Sequence, residues 1–129
     1  MIDVMPKLRA IGEMGAQGDY LGGLAHLENL WETLPDPKDL VPNVYMIIEY
    51  AVALAMKAGD KDEAWRWALL GPKYNKRRQD LGEAEFLIGK VAFERGDFGV
   101  AAEKFVIAKR KSNGRIFIGE DPKYKSIIK

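Results

Sequence analysis

The sequence predicts an all-α protein built from three helical hairpins, and two observations carry that prediction. A short motif centred on Gly-Asp occurs three times, as Gly18-Asp19, Gly59-Asp60 and Gly96-Asp97. Apolar residues recur at three- and four-residue steps on both sides of each motif, which is the period of an amphipathic helix. Two-residue alternation, which would indicate a strand, is confined to the short stretch Arg115–Gly119.

Each Gly-Asp motif suits the junction between two helices. Glycine adopts the left-handed conformation that ends many helices, because it has no Cβ to clash. Aspartate is a favoured N-cap, since its carboxylate accepts backbone N–H groups of the helix that follows. Glu63 stands three residues after Asp60, which is the spacing of a capping box. We therefore expect hairpins at about residues 3–34, 43–70 and 80–112 of a single domain spanning 1–129.

The C-terminal segment is predicted to be a cap over residues 115–128 and not a fourth hairpin. Asn113-Gly114 is expected to end the last long helix. Asp121-Pro122 combines an N-cap with a favoured first-turn residue, so it predicts a short final helix. The apolar residues Ile116 to Ile118 are expected to cover the edge of the last hairpin, because a terminal repeat otherwise leaves its stacking face in water.

Composition excludes several classes of function. The chain has 129 residues, 47% of them hydrophobic and 30% charged, as in ordinary globular proteins. With 20 Lys and Arg against 19 Asp and Glu, the net charge is +1, which gives no overall attraction to nucleic acid or membrane. The absence of cysteine excludes thiolate chemistry and fits a cytoplasmic location. No secretory signal and no apolar run of about 20 residues is recognisable, so no membrane partner is expected.

Residues that could perform catalysis are scarce. His26 is the only histidine and lies within a helical pattern, where a structural or surface role is favoured. Ser112 and Ser126 stand outside a Gly-x-Ser-x-Gly setting. The glycine-rich stretch before Tyr20 lacks the Gly-Lys-Ser/Thr ending of a phosphate-binding loop. The sequence therefore predicts no enzyme, no cofactor and no metal site.

One charge run has two interpretations. The segment "KYNKRRQ" contains Lys73, Lys76, Arg77 and Arg78 without an acidic residue. Arginine binds carboxylates and phosphates through two parallel hydrogen bonds, so the run could bind an acidic protein surface. The other interpretation, a solvated connector, is favoured. Nucleic-acid binding is disfavoured, because the sequence shows no wider basic face with aromatic residues.

The hairpins resemble tetratricopeptide repeats. The third hairpin carries the likeness best, through Gly89, the Gly96-Asp97-Phe98 turn and the set Ala101, Phe105 and Ala108. The second hairpin matches in part, with Val52 where the family has a small residue. Successive Gly-Asp motifs are roughly 41 and 37 residues apart, whereas the repeat length of the family is about 34 residues. The resemblance implies a right-handed α-solenoid in which the first helix of each pair faces a groove.

That resemblance also implies a binding face for a protein partner. It would include methionines, which adapt to varied surfaces. Trp31, Trp65 and Trp67 lie on second helices and are expected in core or interface packing. The face is expected to carry Met5, Leu8, Gly12, Met46, Glu49, Ala53, Met56, Glu83, Phe86, Lys90 and Phe93.

The last hairpin and tail are also similar to small immunity proteins encoded beside bacterial polymorphic toxins. The likeness begins at Gly82 and ends at Tyr124. Its tail residues are Arg110-Lys111-Ser112, Gly114-Arg115, Phe117, Gly119-Glu120-Asp121 and Lys123-Tyr124. It implies a cytoplasmic antidote that binds one toxin domain. The expected contact residues are Met46, Glu49, Met56, Lys73, Lys76, Arg77, Arg78, Glu83, Phe86 and Lys90. The alternatives are a scaffold subunit and a chaperone that holds a peptide, for which Lys57 and Lys90 would form a carboxylate clamp.

Overall fold

The computed structural model describes residues 2–128, apart from the side chains of Arg77 and Gln79. These residues form eight α-helices and three short 3₁₀ segments and contain no strand, which confirms the all-α prediction. The α-helices are α1 Met5–Ala16, α2 Tyr20–Thr33, α3 Val44–Lys57, α4 Lys61–Ala68, α5 Gly71–Tyr74, α6 Glu83–Glu94, α7 Phe98–Ser112 and α8 Pro122–Lys125. The 3₁₀ segments are Lys38–Leu40, Lys76–Leu81 and Arg115–Phe117.

The three Gly-Asp junctions adopt one geometry. Gly18, Gly59 and Gly96 have φ values of 88°, 80° and 83°, in the left-handed region that favours glycine. In each motif the aspartate N–H donates to the carbonyl oxygen five residues earlier, at 2.9 Å. The aspartate carboxylate then accepts the N–H three residues later, at 3.0, 3.0 and 3.3 Å. The prediction that each of the three Gly-Asp motifs ends one helix and begins the next is confirmed.

The expected capping box at Asp60 forms only in part. The Glu63 N–H donates to the Asp60 carboxylate at 3.0 Å. The Asp60 N–H, however, donates to the carbonyl of Ala55, and the Glu63 carboxylate accepts hydrogen bonds from Arg66 and from Trp67 Nε1. The preceding helix thus already satisfies the N–H that a capping box would use.

The chain divides into two compact units, which we call unit 1 (Met1–Trp67) and unit 2 (Ala68–Lys129). In unit 1, α1 packs on α2 and α2 on α3. Its core is mainly aliphatic, with Leu8, Leu27 and Ile47 fully buried. The single domain predicted over 1–129 stays a prediction, because compactness does not decide whether the units unfold together.

Two glycines set the close packing inside unit 1. A Cβ built on Gly15 or on Gly23 would lie 2.9 or 3.0 Å from a methyl group of Leu54 on α3. Larger side chains would press on α3 at these positions. At the other end of the unit, Trp67 is fully buried and meets Trp31 edge to face, at 5.4 Å between ring centroids. The prediction that Trp67 belongs to the core is confirmed.

Unit 2 is centred on the α6–α7 hairpin, and its core is aromatic. Phe86 and Phe105 lie 5.5 Å apart, and Phe117 from the tail meets them at 5.1 and 5.7 Å. A Cβ on Gly89 would lie 2.6 Å from the Phe105 ring. The absence of a side chain at Gly89 therefore makes room for that ring between the two helices.

The tail folds as a cap on α6 and α7, with one correction. Gly114 donates to the carbonyl of Lys109 at 2.9 Å and ends α7 as expected. Phe117 is buried, but Ile118 is 81% exposed. The chain leaves the 3₁₀ segment in an extended conformation at Ile118, so the prediction that Ile118 covers the apolar edge is wrong. Asp121 caps α8 through the Lys123 N–H at 3.0 Å.

Candidate partner-binding surfaces

The predicted contact residues of unit 1 lie on one face of α3. Met46, Glu49, Ala53 and Met56 follow at three- and four-residue steps, which places them along one side of a helix. Glu49 and Ala53 are exposed, and both methionines are half-buried. This face is therefore accessible, mixed in polarity and adaptable in shape.

The predicted residues on α6 divide between surface and core. Glu83 starts the helix and is half-buried. Phe86 is only 4% exposed, so the expectation that it lies on a binding face is wrong, because Phe105, Phe117 and Tyr124 surround its ring. Leu8 of α1 is buried in the same way. Both residues hold the hairpins together and are not available to a partner.

Lys90 interacts within unit 2. Its ammonium group lies 3.4 Å from Glu120 Oε1 and 4.9 Å from the centre of the Phe86 ring. These contacts attach the tail to α6 and hold the charge against an aromatic face. A carboxylate clamp at Lys90 would have to compete with Glu120.

The basic run contains a buried residue, Asn75. Lys73, Lys76 and Arg78 are exposed, and the side chain of Arg77 lies outside the described residues. Arg78 has φ −127° and ψ 28°, which kinks the 3₁₀ segment. Asn75, in contrast, is 5% exposed and its carbonyl accepts the Arg78 N–H at 3.1 Å. A buried asparagine thus holds a segment in which the side chains of Lys73, Lys76 and Arg78 are exposed.

A cleft of about 390 Å³ lies between the start of α6 and the end of α7, and its lining begins at Asp80, after the basic run. We call it the unit 2 cleft. Asp80, Leu81 and Glu83 line one wall, and residues 111–113, 115 and 116 line the other. Ser112 fixes the second wall, because its hydroxyl donates to the Ala108 carbonyl and accepts the Ile116 N–H. Lys111 forms an ion pair with Glu85.

The two units carry opposite charge, which the near-neutral total conceals. Unit 1 contains 11 Asp and Glu against 6 Lys and Arg, for a net charge of −5. Unit 2 contains 14 Lys and Arg against 8 Asp and Glu, for a net charge of +6. The sequence analysis missed both this division and the unit 2 cleft. Counting charge along the chain would have revealed the division, provided that the connector 71–79 and the tail after residue 112 are included, because the excess of Lys and Arg lies there.

Unit 1 also contains an ionic cluster on its second helices. Arg66 pairs with Glu28 and with Glu63, and Trp67 Nε1 donates to Glu63 at 3.1 Å. The hydrogen bond from Arg66 is the main reason why the pKa of Glu63 lies below its usual value of 4.5. Burial is the main reason why the pKa of Glu28 is raised above that value.

His26, the only histidine of the chain, lies on α2. It is exposed and lines a cavity of about 230 Å³ between α1 and α2, beside Lys7 and Met14. Among the described residues, no group of three or more potential ligands could hold a metal ion. In the same part of the chain, every helix is too short or too polar to cross a bilayer.

Comparison of the chain with protein-family models, with curated proteins and with solved structures finds no match. The structure shows an all-helical chain with repeated junctions. Its likeness to tetratricopeptide repeats and to immunity proteins belongs to the proposal that follows.

Proposed function

We propose that this chain is a protein-binding module of the tetratricopeptide type, with its hairpins arranged as a right-handed α-solenoid. Within that class we propose a cytoplasmic immunity protein that binds and neutralises a bacterial toxin domain. The observation that carries the proposal is the Gly-Asp junction, which occurs three times with one backbone geometry. Repeated hairpins bury themselves against their neighbours and leave extended surfaces, which suit large partners better than small substrates.

The tail supports the narrower proposal. Its immunity-like residues surround Phe117 and Tyr124, which pack on α6 and α7. The Tyr124 hydroxyl also donates to Glu94 at 3.0 Å. The shared tail thus has a structural role, as a cap that a short repeat protein needs when it works alone. Contact with the toxin would involve other residues, with Met46, Glu49 and Met56 as candidates in unit 1.

An enzyme is the less favoured function, since His26 lies in an exposed setting without a described catalytic partner. A peptide-holding chaperone is the second candidate. It is disfavoured by Lys90, which already interacts with Glu120 and with the Phe86 ring. The proposed partner is therefore a folded protein domain, with no cofactor, nucleic acid or membrane.

The test is to tag the chain, purify it from its own cells at moderate and high salt, and identify what remains bound. We expect one toxin domain in a stoichiometric complex. Co-expression of that domain with the chain should restore growth that the domain alone prevents. A mixture of chaperones and unrelated client segments would contradict the proposal.

A matched pair of variants locates the contact. Glu49→Lys combined with Ala53→Arg changes the exposed face of α3 and should abolish both capture and protection. Glu32→Lys combined with Ala25→Arg places the same substitutions at exposed positions of α2 and should leave both unchanged. Equal behaviour of the two variants would remove the α3 face from the proposed interface.

A further inference from the structure

The cavity of about 230 Å³ in unit 1 is a groove between α1 and α2, which we call the unit 1 groove. Each helix contributes four lining residues from one of its faces, which are residues 7, 10, 11 and 14 of α1 and residues 26, 29, 30 and 33 of α2. Seven residues of a helix span about 10 Å, so the groove follows two turns of each helix. It therefore has the walls and the length to receive two turns of another helix.

The groove is apolar at its base and accessible at its rim. Ile11 and Leu30 line it and are each only 4% exposed. Met14 is half-buried and Ala10 is exposed, so both can contact a ligand. α3 already packs on both helices of this hairpin, and the groove offers a second apolar surface on the same two helices.

The polar residues of the groove are complementary to carboxylates. Among the described residues, its lining contains no Asp or Glu, but it contains Lys7 and His26, which are both exposed. Neither side chain forms an ion pair or a hydrogen bond with a described residue. The lysine is a cation, and an imidazole ring donates at least one N–H in either protonation state. Both side chains can therefore bind a carboxylate of a ligand.

These two side chains belong to opposite ends of the groove. Only three residues separate α1 from α2 and the two helices pack on each other, so they run antiparallel. Lys7 is the first lining residue of α1, and His26 is the first lining residue of α2. A ligand that matches the groove therefore has two carboxylates about 10 Å apart with apolar groups between them.

A helix of a partner protein matches this description better than a small molecule. The volume of about 230 Å³ lies below the usual range of small-molecule pockets, which is about 300–1,000 Å³. A helix with Glu at positions i and i+7 and Leu at positions i+3 and i+4 presents all four side chains on one face. Its two carboxylates are then about 10 Å apart along the helix axis.

We infer that the unit 1 groove is a docking site for an acidic amphipathic helix of a partner protein. Lys7 and His26 would bind its carboxylates, and Ala10 and Met14 would contact its apolar residues. This inference rests on the proposed function, because it specifies the chemistry of one segment of the partner. The net charge of −5 on unit 1 opposes an acidic ligand at a distance, so recognition would depend on these close contacts.

The test uses the full chain and a fluorescent peptide of about 16 residues, because shorter helices are marginal in water. The centre of the peptide is Glu-Ala-Ala-Leu-Leu-Ala-Ala-Glu, its flanks are Ala and Gln, and fluorescence anisotropy measures its binding. We expect saturable binding that changes less than about twofold between low salt and about 150 mM salt, since salt screens the distant repulsion more than the close contacts. A peptide with Lys in place of both Glu residues should bind at least about tenfold more weakly.

A matched pair of variants locates the site. Lys7→Glu combined with His26→Glu should weaken binding about tenfold or more, because it replaces both carboxylate partners with carboxylates. Arg9→Glu combined with Ala25→Glu adds acidic residues at exposed positions of the same helices that do not line the groove. This control should weaken binding less than about threefold. Ala10→Gln keeps the charge, places a polar side chain in the groove and should weaken binding severalfold.

Thermal unfolding shows whether each variant is folded. Equal losses in the groove and control variants would overturn the inference, as would a lack of peptide binding at about 1 mM protein. Displacement of the peptide by octanoate would assign the groove to small carboxylates instead. Self-association of the chain that the groove variant abolishes would assign it to a second copy. Either result would overturn the partner helix as the occupant.

The result is separable from that of the proposed function. If the groove variant still captures the toxin and protects cells as well as the wild type, only the docking site is wrong. If no toxin is captured while peptide binding depends on Lys7 and His26, only the antidote function is wrong.

Discussion

Units 1 and 2 use the same junction to build different interiors and surfaces. Unit 1 has an aliphatic core around Leu27 and a net charge of −5. Unit 2 has an aromatic core around Phe105, an attached tail and a net charge of +6. Because the Gly-Asp junction depends on backbone conformation and one carboxylate, it constrains neither core chemistry nor surface charge. The junction defines the hairpins, and the remaining residues are available to define the partner.

The largest expected effect tests the aromatic core of unit 2. Phe105→Ala removes a fully buried ring that contacts Phe86, Phe117 and Tyr124, and should lower the free energy of unfolding by about 3–5 kcal/mol. Phe98→Ala is the control, since that ring is 53% exposed and should cost about 1 kcal/mol. Urea denaturation measures both. Similar losses would mean that the cluster is not the centre of the unit 2 core.

A second comparison concerns the packing glycines of the two units. Gly89→Ala places a methyl group against the Phe105 ring at 2.6 Å, and should cost about 1–3 kcal/mol because a buried ring cannot move aside. Gly23→Ala meets only the end of the Leu54 side chain, at 3.0 Å. That leucine can shift, and alanine gains about 1 kcal/mol of helix propensity over glycine. Gly23→Ala should therefore be close to neutral, and a greater loss there than at Gly89 would reverse the comparison.

The shared junction should respond equally in both units. Asp19→Ala in unit 1 and Asp97→Ala in unit 2 each remove one N-cap hydrogen bond and should each cost about 1 kcal/mol. Thermal unfolding of the two variants provides the measurement. Costs that differ by more than about 1 kcal/mol would show that the junctions are similar in geometry but not in energy.

The smallest effect concerns pH and the ionic cluster of unit 1. Because the folded-state pKa of Glu63 is lowered, its contribution to stability is present above its usual pKa of 4.5 and is lost as pH falls through the folded value. The raised pKa of Glu28 has the opposite sign, since its contribution is present below 4.5 and is lost as pH rises through the folded value. The two contributions therefore oppose each other over the pH range around 4.5. In Glu63→Gln, thermal unfolding across this range should lose the Glu63 component, and an unchanged pH profile would contradict its role.

Local sequence rules predicted the helix boundaries well, because junctions depend on nearby backbone atoms. The structure has three features where the sequence pattern predicted them: the Gly-Asp motifs, the helix end at Asn113-Gly114 and the N-cap at Asp121. The same rules failed where a distant contact decides. The N–H of Asp60 was already bonded to Ala55, and Phe86 was enclosed by rings from α7 and the tail. Helical periodicity shows which residues share a face, but not which faces are covered.

The sequence by itself determined that the chain is all-helical and where its helices are interrupted, because these depend on residue type and short spacing. Only the tertiary structure decided which predicted contact residues are accessible and which charges have partners. It buried Phe86, paired Lys90 with Glu120 and left Arg115 exposed in the wall of a cleft. Burial and pairing arise from contacts between residues far apart in the chain, which no local pattern specifies.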